Sequence, residues 1–173
     1  GASFTIDQKT CYPWDGTIML SLHNVQGNAA VTIHIRIPSW ATGALITLHD
    51  GRSITLDEKA AGTYLPINKQ WHDGETIHIQ FPMEASLYTA HRLVEEDNNH
   101  VAVQRGPIVY CIESCDFPDV EVFHRTSITN RPNFTSEHST IDGLPLVCLY
   151  ADAIESDIAG RQNDGLYQRL VCR

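Results

Sequence analysis

The sequence predicts an all-β protein made of two small, packed, antiparallel β-sandwiches of jelly-roll type. Three observations support this fold class. Apolar and polar residues alternate with a period of two in most segments, proline or Asp-Gly ends those segments, and no helical stripe of apolar residues occurs before residue 150. A length of 173 residues with 42% hydrophobic residues is enough for one ordinary domain or two small ones.

The clearest strands are two segments with nearly the same sequence. Residues 32–38 read Thr-Ile-His-Ile-Arg-Ile-Pro and residues 76–82 read Thr-Ile-His-Ile-Gln-Phe-Pro, so each predicts a half-buried strand that ends at proline. Further strands are predicted at residues 17–22, 44–48 and 53–56. The last two flank Asp50-Gly51, which predicts a type I′ hairpin.

Two β-branched runs within residues 101–113 are interrupted by Arg105-Gly106-Pro107. Glycine gives the backbone freedom and proline removes an amide donor, so the pattern predicts a strand that bends sharply and then continues. A lone cation among apolar residues is costly to bury unless it is hydrogen-bonded. We therefore expect Arg105 to be at least partly buried and bonded within the chain, and to form a structural clamp with Gly106 and Pro107. An exposed arginine is the alternative.

A domain boundary is predicted between residues 82 and 101, where the alternation stops and residues 95–99 form a polar cluster typical of a loop. We expect a first sandwich over residues 1–87 and a second over residues 88–173, with one continuous sandwich as the alternative. Two segments are predicted without strands: residues 126–142 as a long exposed loop and residues 151–158 as a short helical turn.

The charge balance argues against two classes of partner. Twelve Lys and Arg stand against 21 Asp and Glu, which gives a net charge of −9. Such a chain is repelled by phosphate backbones and anionic lipid, so neither nucleic acid nor a membrane is expected as a partner. No signal peptide is recognised, and Gly1-Ala2-Ser3 is typical of a cut within a longer protein, so no localisation is assigned.

No catalytic, cofactor-binding or metal-binding residue is assigned from the sequence. Glycoside hydrolysis needs two carboxyl groups that face each other across a bond. Glu95, Glu96 and Asp97 are adjacent in the chain, and a solvated charge run is the simpler interpretation.

Three metal sites remain open as alternatives. His34 and His78 would face each other if their strands were neighbours, and a calcium ion would require the acidic residues Glu113, Asp116, Asp119 and Glu121. Cys111 and Cys115 lie about 13 Å apart in extended chain, whereas zinc ligands lie within about 4 Å of each other. Buried thiols are therefore the favoured interpretation of this cysteine pair.

Trp14, Trp40 and Trp71 each lie beside turn-forming residues. An exposed tryptophan at the rim of a sandwich offers a flat apolar face on which a sugar ring stacks. A tryptophan that closes the end of the core uses the same area without a ligand. We favour the core for all three and keep sugar stacking as the alternative.

Several motifs together resemble the C-terminal region of glycoside hydrolase family 127, the β-L-arabinofuranosidase-type enzymes once grouped as a domain of unknown function. They are, in chain order, Tyr12-Pro13-Trp14-Asp15-Gly16, Arg36-Ile37-Pro38-Ser39-Trp40-Ala41, Trp71-His72-Asp73-Gly74-Glu75, Phe81-Pro82-Met83 and residues 101–113. The likeness covers roughly residues 4–115 and fades beyond Phe117. Ser39 stands where the family often has glycine.

The resemblance implies a role for the chain within a larger enzyme. Members of the family have an (α/α)₆ catalytic barrel followed by two β-sandwiches, and the chain matches only the sandwiches. We therefore expect a non-catalytic accessory region that supports its own upstream barrel and contributes to homodimer contacts, with a carbohydrate-binding module as the alternative. Zinc is expected in the barrel, with none in this chain. The second sandwich is expected to be truncated before a final strand.

Overall fold

The computed structural model describes residues 2–156 and 167–171, and these confirm the predicted all-β class. The strands are β1 (Ser3–Thr10), β2 (Thr17–Gln26), β3 (Val31–Arg36), β4 (Leu45–Leu48), β5 (Ser53–Thr55), β6 (Tyr64–Lys69), β7 (Thr76–Gln80), β8 (Ala85–Thr89), β9 (Val101–Arg105), β10 (Ile108–Tyr110), β11 (Thr126–Ile128), β12 (Thr135–Ile141), β13 (Leu144–Tyr150), β14 (Asp152–Ser156) and β15 (Tyr167–Val171). One short helix, α1 (Val120–Arg125), and two 3₁₀ turns, at Glu95–Asp97 and Ser114–Asp116, complete the described elements.

The chain forms two compact units, and each unit is made of two separate stretches of the sequence. Unit 1 consists of Gly1–Ser86 together with Gln104–Ile108, and unit 2 consists of Leu87–Val103 and Val109–Arg173. Within the described residues, no helix has the length and the apolar character needed to cross a lipid bilayer.

Unit 1 is a sandwich of two antiparallel sheets. The larger sheet has the strand order β1-β2-β7-β4-β5, and the smaller pairs β3 with β6. Their inward side chains form one core, whose fully buried members include Leu22, Ile46 and Ile77. Branched apolar side chains stand next to each other across the strands, as where Ile79 lies opposite both Ile18 and Ile46, and such pairs stabilise a sheet.

The hairpin predicted at Asp50-Gly51 is present, but its turn is not of type I′. Only Gly51 holds a positive φ, of 85°, whereas type I′ requires positive φ at both central residues. The Gly51 amide donates to the Leu48 carbonyl, and the Leu48 amide donates to the Arg52 carbonyl, both at 2.9 Å. The loop is thus one residue longer than predicted.

The Arg105-Gly106-Pro107 segment is a tight turn, so the prediction of one bent strand is wrong. β9 and β10 are neighbours in a three-stranded sheet of order β10-β9-β8, which means that the chain reverses direction between them. Gly106 has a φ of 58°, a left-handed conformation that suits a two-residue turn. β8 was also not predicted, because Ala85–Thr89 carries too few large apolar residues to show an alternation.

Unit 2 contains more regular structure than predicted. The segment expected to be a loop holds β11 and β12, and the expected helical turn is the strand β14 at least through residue 156, its last two residues lying outside the described part. β14 lies between β11 and β15 in one sheet, and among the described strands β12 and β13 form a separate two-stranded sheet. Among the described residues of this unit, the buried apolar side chains are Val147 and Ala153, and an ion pair of 2.7 Å joins Arg125 to Glu155.

Candidate functional site

Four of the five motif segments meet in one cluster of unit 1, which we call the motif junction; the segment that begins at Trp71 is not among its members. Its members come from the start of the chain, from the segment after β3, from the end of β7 and from the β9–β10 turn: Tyr12, Trp14, Asp15, Gly16, Trp40, Phe81, Met83, Gln104, Arg105 and Gly106. Residues separated by up to 91 positions in the chain are thus in contact.

Arg105 ends β9 and reaches across unit 1 to the first motif. The side chain is half-buried, and its Nη1 donates to the main-chain carbonyl oxygen of Trp14 at 3.1 Å. Beside it, the Gln104 amide nitrogen donates to the Gly106 carbonyl oxygen at 2.7 Å and thereby closes the turn. Pro107 is exposed and contributes only the turn geometry.

Gly106 is buried, and its surroundings leave no space for a side chain. A Cβ at this position would lie 2.6 Å from the Met83 Cε atom, 2.8 Å from its sulfur and 3.6 Å from the Trp40 ring. Met83 and Trp40, both half-buried, therefore cover the turn directly. Sequence reasoning did not assign Met83 to this role, although it is part of the Phe-Pro-Met motif.

Gly16 permits a second close approach in the motif junction. A Cβ there would lie 2.1 Å from the main-chain oxygen of Phe81, and the Phe81 amide donates to the Gly16 carbonyl at 2.9 Å. Two segments of backbone thus touch without an intervening side chain, which only glycine allows.

Phe81 is the aromatic centre of the motif junction. It is 4% exposed, and the rings of Trp40 and Tyr12 pack against it edge-on with centroids 5.7 Å and 6.5 Å away. Burial against this cluster raises the pKa of Tyr12 above its ordinary value. Edge-on aromatic pairs of this kind add about 0.5–1.5 kcal/mol beyond the area that they bury.

The three tryptophans predicted as candidates for sugar stacking have different environments. Trp71 is 4% exposed and its indole N–H donates to the Val31 carbonyl at 2.9 Å, so its ring belongs to the core and is not accessible to a sugar. Trp40 packs on Phe81 within the motif junction. Trp14 is half-buried, and its carbonyl oxygen receives Arg105.

A buried ion pair next to Trp71 was not anticipated from the sequence. Lys69 Nζ lies 2.7 Å from Glu75 Oε1 and 5.1 Å from the centroid of the Trp71 ring, and both charged side chains are mostly buried. Burial by itself would raise the pKa of Glu75. The hydrogen bonds from Lys69 and the His72 amide, with the charge of Lys69, outweigh burial and hold that pKa below its ordinary value.

The metal sites considered in the sequence do not form in the described residues, where no three His, Cys, Asp or Glu side chains lie close enough to hold an ion. β3 pairs with β6 and β7 pairs with β2 and β4, so His34 and His78 lie in different sheets. Asp116 and Asp119 accept hydrogen bonds from the amides of Glu113 and Val122, and each thereby caps a turn or a helix.

The prediction that Cys111 and Cys115 are buried thiols is wrong. Both are exposed free cysteines, because the chain after β10 leaves the sheet and runs along the surface. The Cys115 thiol donates to the Glu113 carboxylate at 3.7 Å. Partial desolvation, together with the charges of Asp116 and Glu113, raises the pKa of Cys115.

Comparison with known families assigns both parts of the chain. Residues 1–83 match the model described as "Beta-L-arabinofuranosidase, GH127 middle domain", and residues 85–158 match the glycoside hydrolase family 127 C-terminal domain. A non-reducing end beta-L-arabinofuranosidase from Bifidobacterium longum is 31% identical over 121 residues, which cover 68% of this chain and 18% of that protein.

Solved structures give the same result. A glycoside hydrolase aligns with a TM-score of 0.82 and 30% identity over 96% of this chain, and a GH127 beta-L-arabinofuranosidase from Geobacillus stearothermophilus T6 aligns with a TM-score of 0.80 and 29% identity over 99% of it. This chain covers only 28% and 27% of those two proteins. Residues 1–158 therefore belong to glycoside hydrolase family 127, as its middle and C-terminal domains.

Proposed function

We propose that this chain is a non-catalytic accessory region of a β-L-arabinofuranosidase-like glycoside hydrolase, and that it supports a catalytic barrel located elsewhere in the whole protein. The observation that carries the proposal is the motif junction, where residues of four family motifs contact one another. The names of the relatives, a beta-L-arabinofuranosidase among them, support the reaction class.

The chemistry of the motif junction supports a structural role. Arg105 and Gln104 donate to main-chain carbonyl oxygens, and Asp15, the carboxylate of the junction, accepts the Thr17 amide at 2.6 Å. Glycosidases act with two carboxyl groups that lie about 5 Å or about 6.5–9.5 Å apart. The junction instead supplies hydrogen bonds that hold backbone segments in place.

The proposal includes two partners, the barrel and a second copy of the protein. Unit 2 exposes several large apolar side chains, including Leu93 at 80%, Leu144 at 70% and Val109 at 65%. Where such side chains lie side by side they form an apolar patch of the kind that another protein surface covers, and we propose them as contact residues. We assign the zinc implied by the family resemblance to the barrel and to no residue of this chain.

The test compares the chain with the longer protein encoded by its gene. Purified residues 1–173 should not hydrolyse a chromogenic aryl β-L-arabinofuranoside above the buffer blank, whereas the extended protein should. Deleting residues 1–173 from the extended protein should lower its melting temperature or its activity. Hydrolysis by the chain alone that survives replacement of both Glu95 and Glu96 by glutamine would contradict the proposal, because it would reveal a catalytic site in these domains.

A further inference from the structure

The outer face of the small sheet in unit 1 carries a strip of exposed polar and aromatic side chains. We call it the Tyr64 strip. It consists of three cross-strand pairs: Arg36 with Tyr64, His34 with Pro66, and Thr32 with Asn68. The alternate residues of the same strands, such as Ile35 and Ile67, point into the core, so the strip faces outward.

Tyr64 is held in place despite its exposure. At 60%, it is the most exposed large apolar side chain among the described residues of unit 1. The Arg36 guanidinium lies over its ring, with Cζ 5.4 Å from the centroid. Arg36 in turn donates through Nη1 to the carbonyl oxygen of Ile37 and, at 3.0 Å, to that of Thr63. The cation is fixed by the backbone and covers one side of the ring, while much of the ring stays open.

The rest of the Tyr64 strip supplies hydrogen-bonding groups in line with the ring. Asn68 is exposed and donates to the Thr32 hydroxyl oxygen at 2.5 Å, and its side chain also carries an amide oxygen, which is an acceptor. His34 is exposed between this pair and Tyr64. Four residues of strand separate Tyr64 from Asn68, which corresponds to about 13 Å.

We propose that the Tyr64 strip binds a neutral oligosaccharide. Sugars combine an apolar C–H face, which stacks on an aromatic ring, with hydroxyl groups, which bond to imidazole and amide groups, and the strip presents both. The net charge of −9 disfavours a polyanion, and the polar groups around a single ring disfavour an apolar protein surface. The inference rests on the proposed function, because that function places a glycan near this chain.

The stacking aromatic of this proposal is thus Tyr64 and none of the three tryptophans. Arg36 opens the Arg-Ile-Pro-Ser-Trp motif, and its side chain bonds to the Ile37 and Thr63 carbonyls and lies over the Tyr64 ring. Trp40, from the same motif, points into the junction. One motif thus contributes to two surfaces, and the outer surface is the one with an accessible ring.

The test is a titration of the ¹⁵N-labelled 173-residue chain with a linear arabino-oligosaccharide, followed by amide chemical shifts. Saturable shifts in the millimolar range should be confined to residues 32–36 and 64–68. Tyr64→Ala should weaken binding by about tenfold or more, and Tyr64→Phe should bind within about twofold of the original chain, because the ring is kept. Tyr88→Ala, which removes an exposed tyrosine of unit 2, is the matched control and should leave the affinity for the oligosaccharide unchanged.

Three results would overturn the inference: no saturable shift, shifts centred elsewhere in the chain, or binding that Tyr64→Ala leaves intact. An unchanged melting temperature of the Tyr64 variants would show that a loss of binding is not a loss of folding. The titration is independent of hydrolysis. If the extended protein is active and the chain binds no sugar, the proposed function stands and this inference fails. If the chain binds the sugar but the extended protein does not hydrolyse arabinofuranosides, this inference stands and the proposed function fails.

Discussion

The Arg105 guanidinium donates a hydrogen bond of 3.1 Å to the carbonyl oxygen of Trp14, and this bond joins the end of β9 to the first motif of the chain. A hydrogen bond from a charged donor contributes about 1.5–3 kcal/mol when it is shielded from water. Arg105 is half-buried, so the bond is partly shielded from water.

Replacing Arg105 with alanine should lower the free energy of unfolding by about 1–3 kcal/mol, because the Trp14 carbonyl loses its donor. Urea unfolding measures the change. Arg105→Lys should lose less, since a single ammonium still reaches one acceptor. Arg92→Ala, at an exposed position, is the control and should stay within about 0.5 kcal/mol of the original chain. If the Arg105→Ala variant were as stable as this control, the bond would not contribute to the free energy of unfolding.

Gly16→Ala should be among the most destabilising single changes in unit 1. The added methyl group would meet the Phe81 main-chain oxygen at 2.1 Å, and backbone cannot move aside as a flexible side chain does. We expect a loss of about 3 kcal/mol or more, or failure to fold.

Gly74→Ala is the comparison for this change. Gly74 has a φ of 81° but no atom within 4 Å of an added Cβ, so only the backbone penalty of about 1–2 kcal/mol applies. Thermal melts followed by circular dichroism compare the two variants, and Gly16→Ala should lower the melting temperature more than Gly74→Ala. If the two losses were equal, the close approach of Gly16 to Phe81 would not be a constraint.

The Lys69–Glu75 pair makes the stability of unit 1 depend on pH. Because the pKa of Glu75 is lower in the folded chain than in the unfolded chain, its contribution is complete above the ordinary glutamate value of 4.5 and is lost as the pH falls through the folded pKa. Glu75→Gln should therefore cost about 1–3 kcal/mol at pH 7, and its difference from the original chain should shrink towards pH 3.

Urea midpoints between pH 3 and pH 7, followed by tryptophan fluorescence, measure this effect. Lys69 lies over the Trp71 ring, so fluorescence reports directly on the neighbourhood of the pair. Glu58→Gln, at an exposed residue, should show no such convergence. A Glu75→Gln difference that stays constant with pH would exclude the ion pair as the titrating element.

Cys115 should be alkylated more rapidly after its acidic neighbours are neutralised. Asp116 and Glu113 contribute to its raised pKa, and the thiolate is the reactive form. Iodoacetamide labelling at pH 7.5, resolved by peptide mass spectrometry, should therefore be faster at Cys115 in Glu113→Gln than in the original chain. Labelling of the exposed Cys11 in the same sample should be unchanged and serves as the internal control.

The sequence predicts unit 1 better than unit 2 for a physical reason. In the strands of unit 1 that the sequence predicts, such as β4 and β7, buried and less buried residues alternate, so burial imposes the alternation that a sequence shows. In β12 every residue from Thr135 to Ile141 is exposed, so no face requires apolar side chains and no alternation develops. Helix α1 has only six residues, fewer than two turns, which is too short for a helical period to appear.

The candidate sites depend on strand pairing, which sequence patterns do not supply. Family resemblance identified the motif segments, but not that Gly16 meets Phe81 or that Met83 covers Gly106. The neighbours Arg36 and Tyr64 are 28 positions apart and become partners only through the β3–β6 register. Likewise Trp71 lies next to turn residues in the sequence, and only the fold shows that its ring is buried.

The return of Gln104–Ile108 to unit 1 has a consequence for dissecting the protein. Because the chain leaves the first sandwich after Ser86 and comes back for five residues, no single cut separates the two units from each other. A piece that ends at Ser86 would lose the donor to the Trp14 carbonyl and uncover Met83 and Trp40. The two units are interleaved along the chain, so a cut at any one peptide bond leaves part of one unit attached to the other, and we expect them to be stable only when produced as one piece.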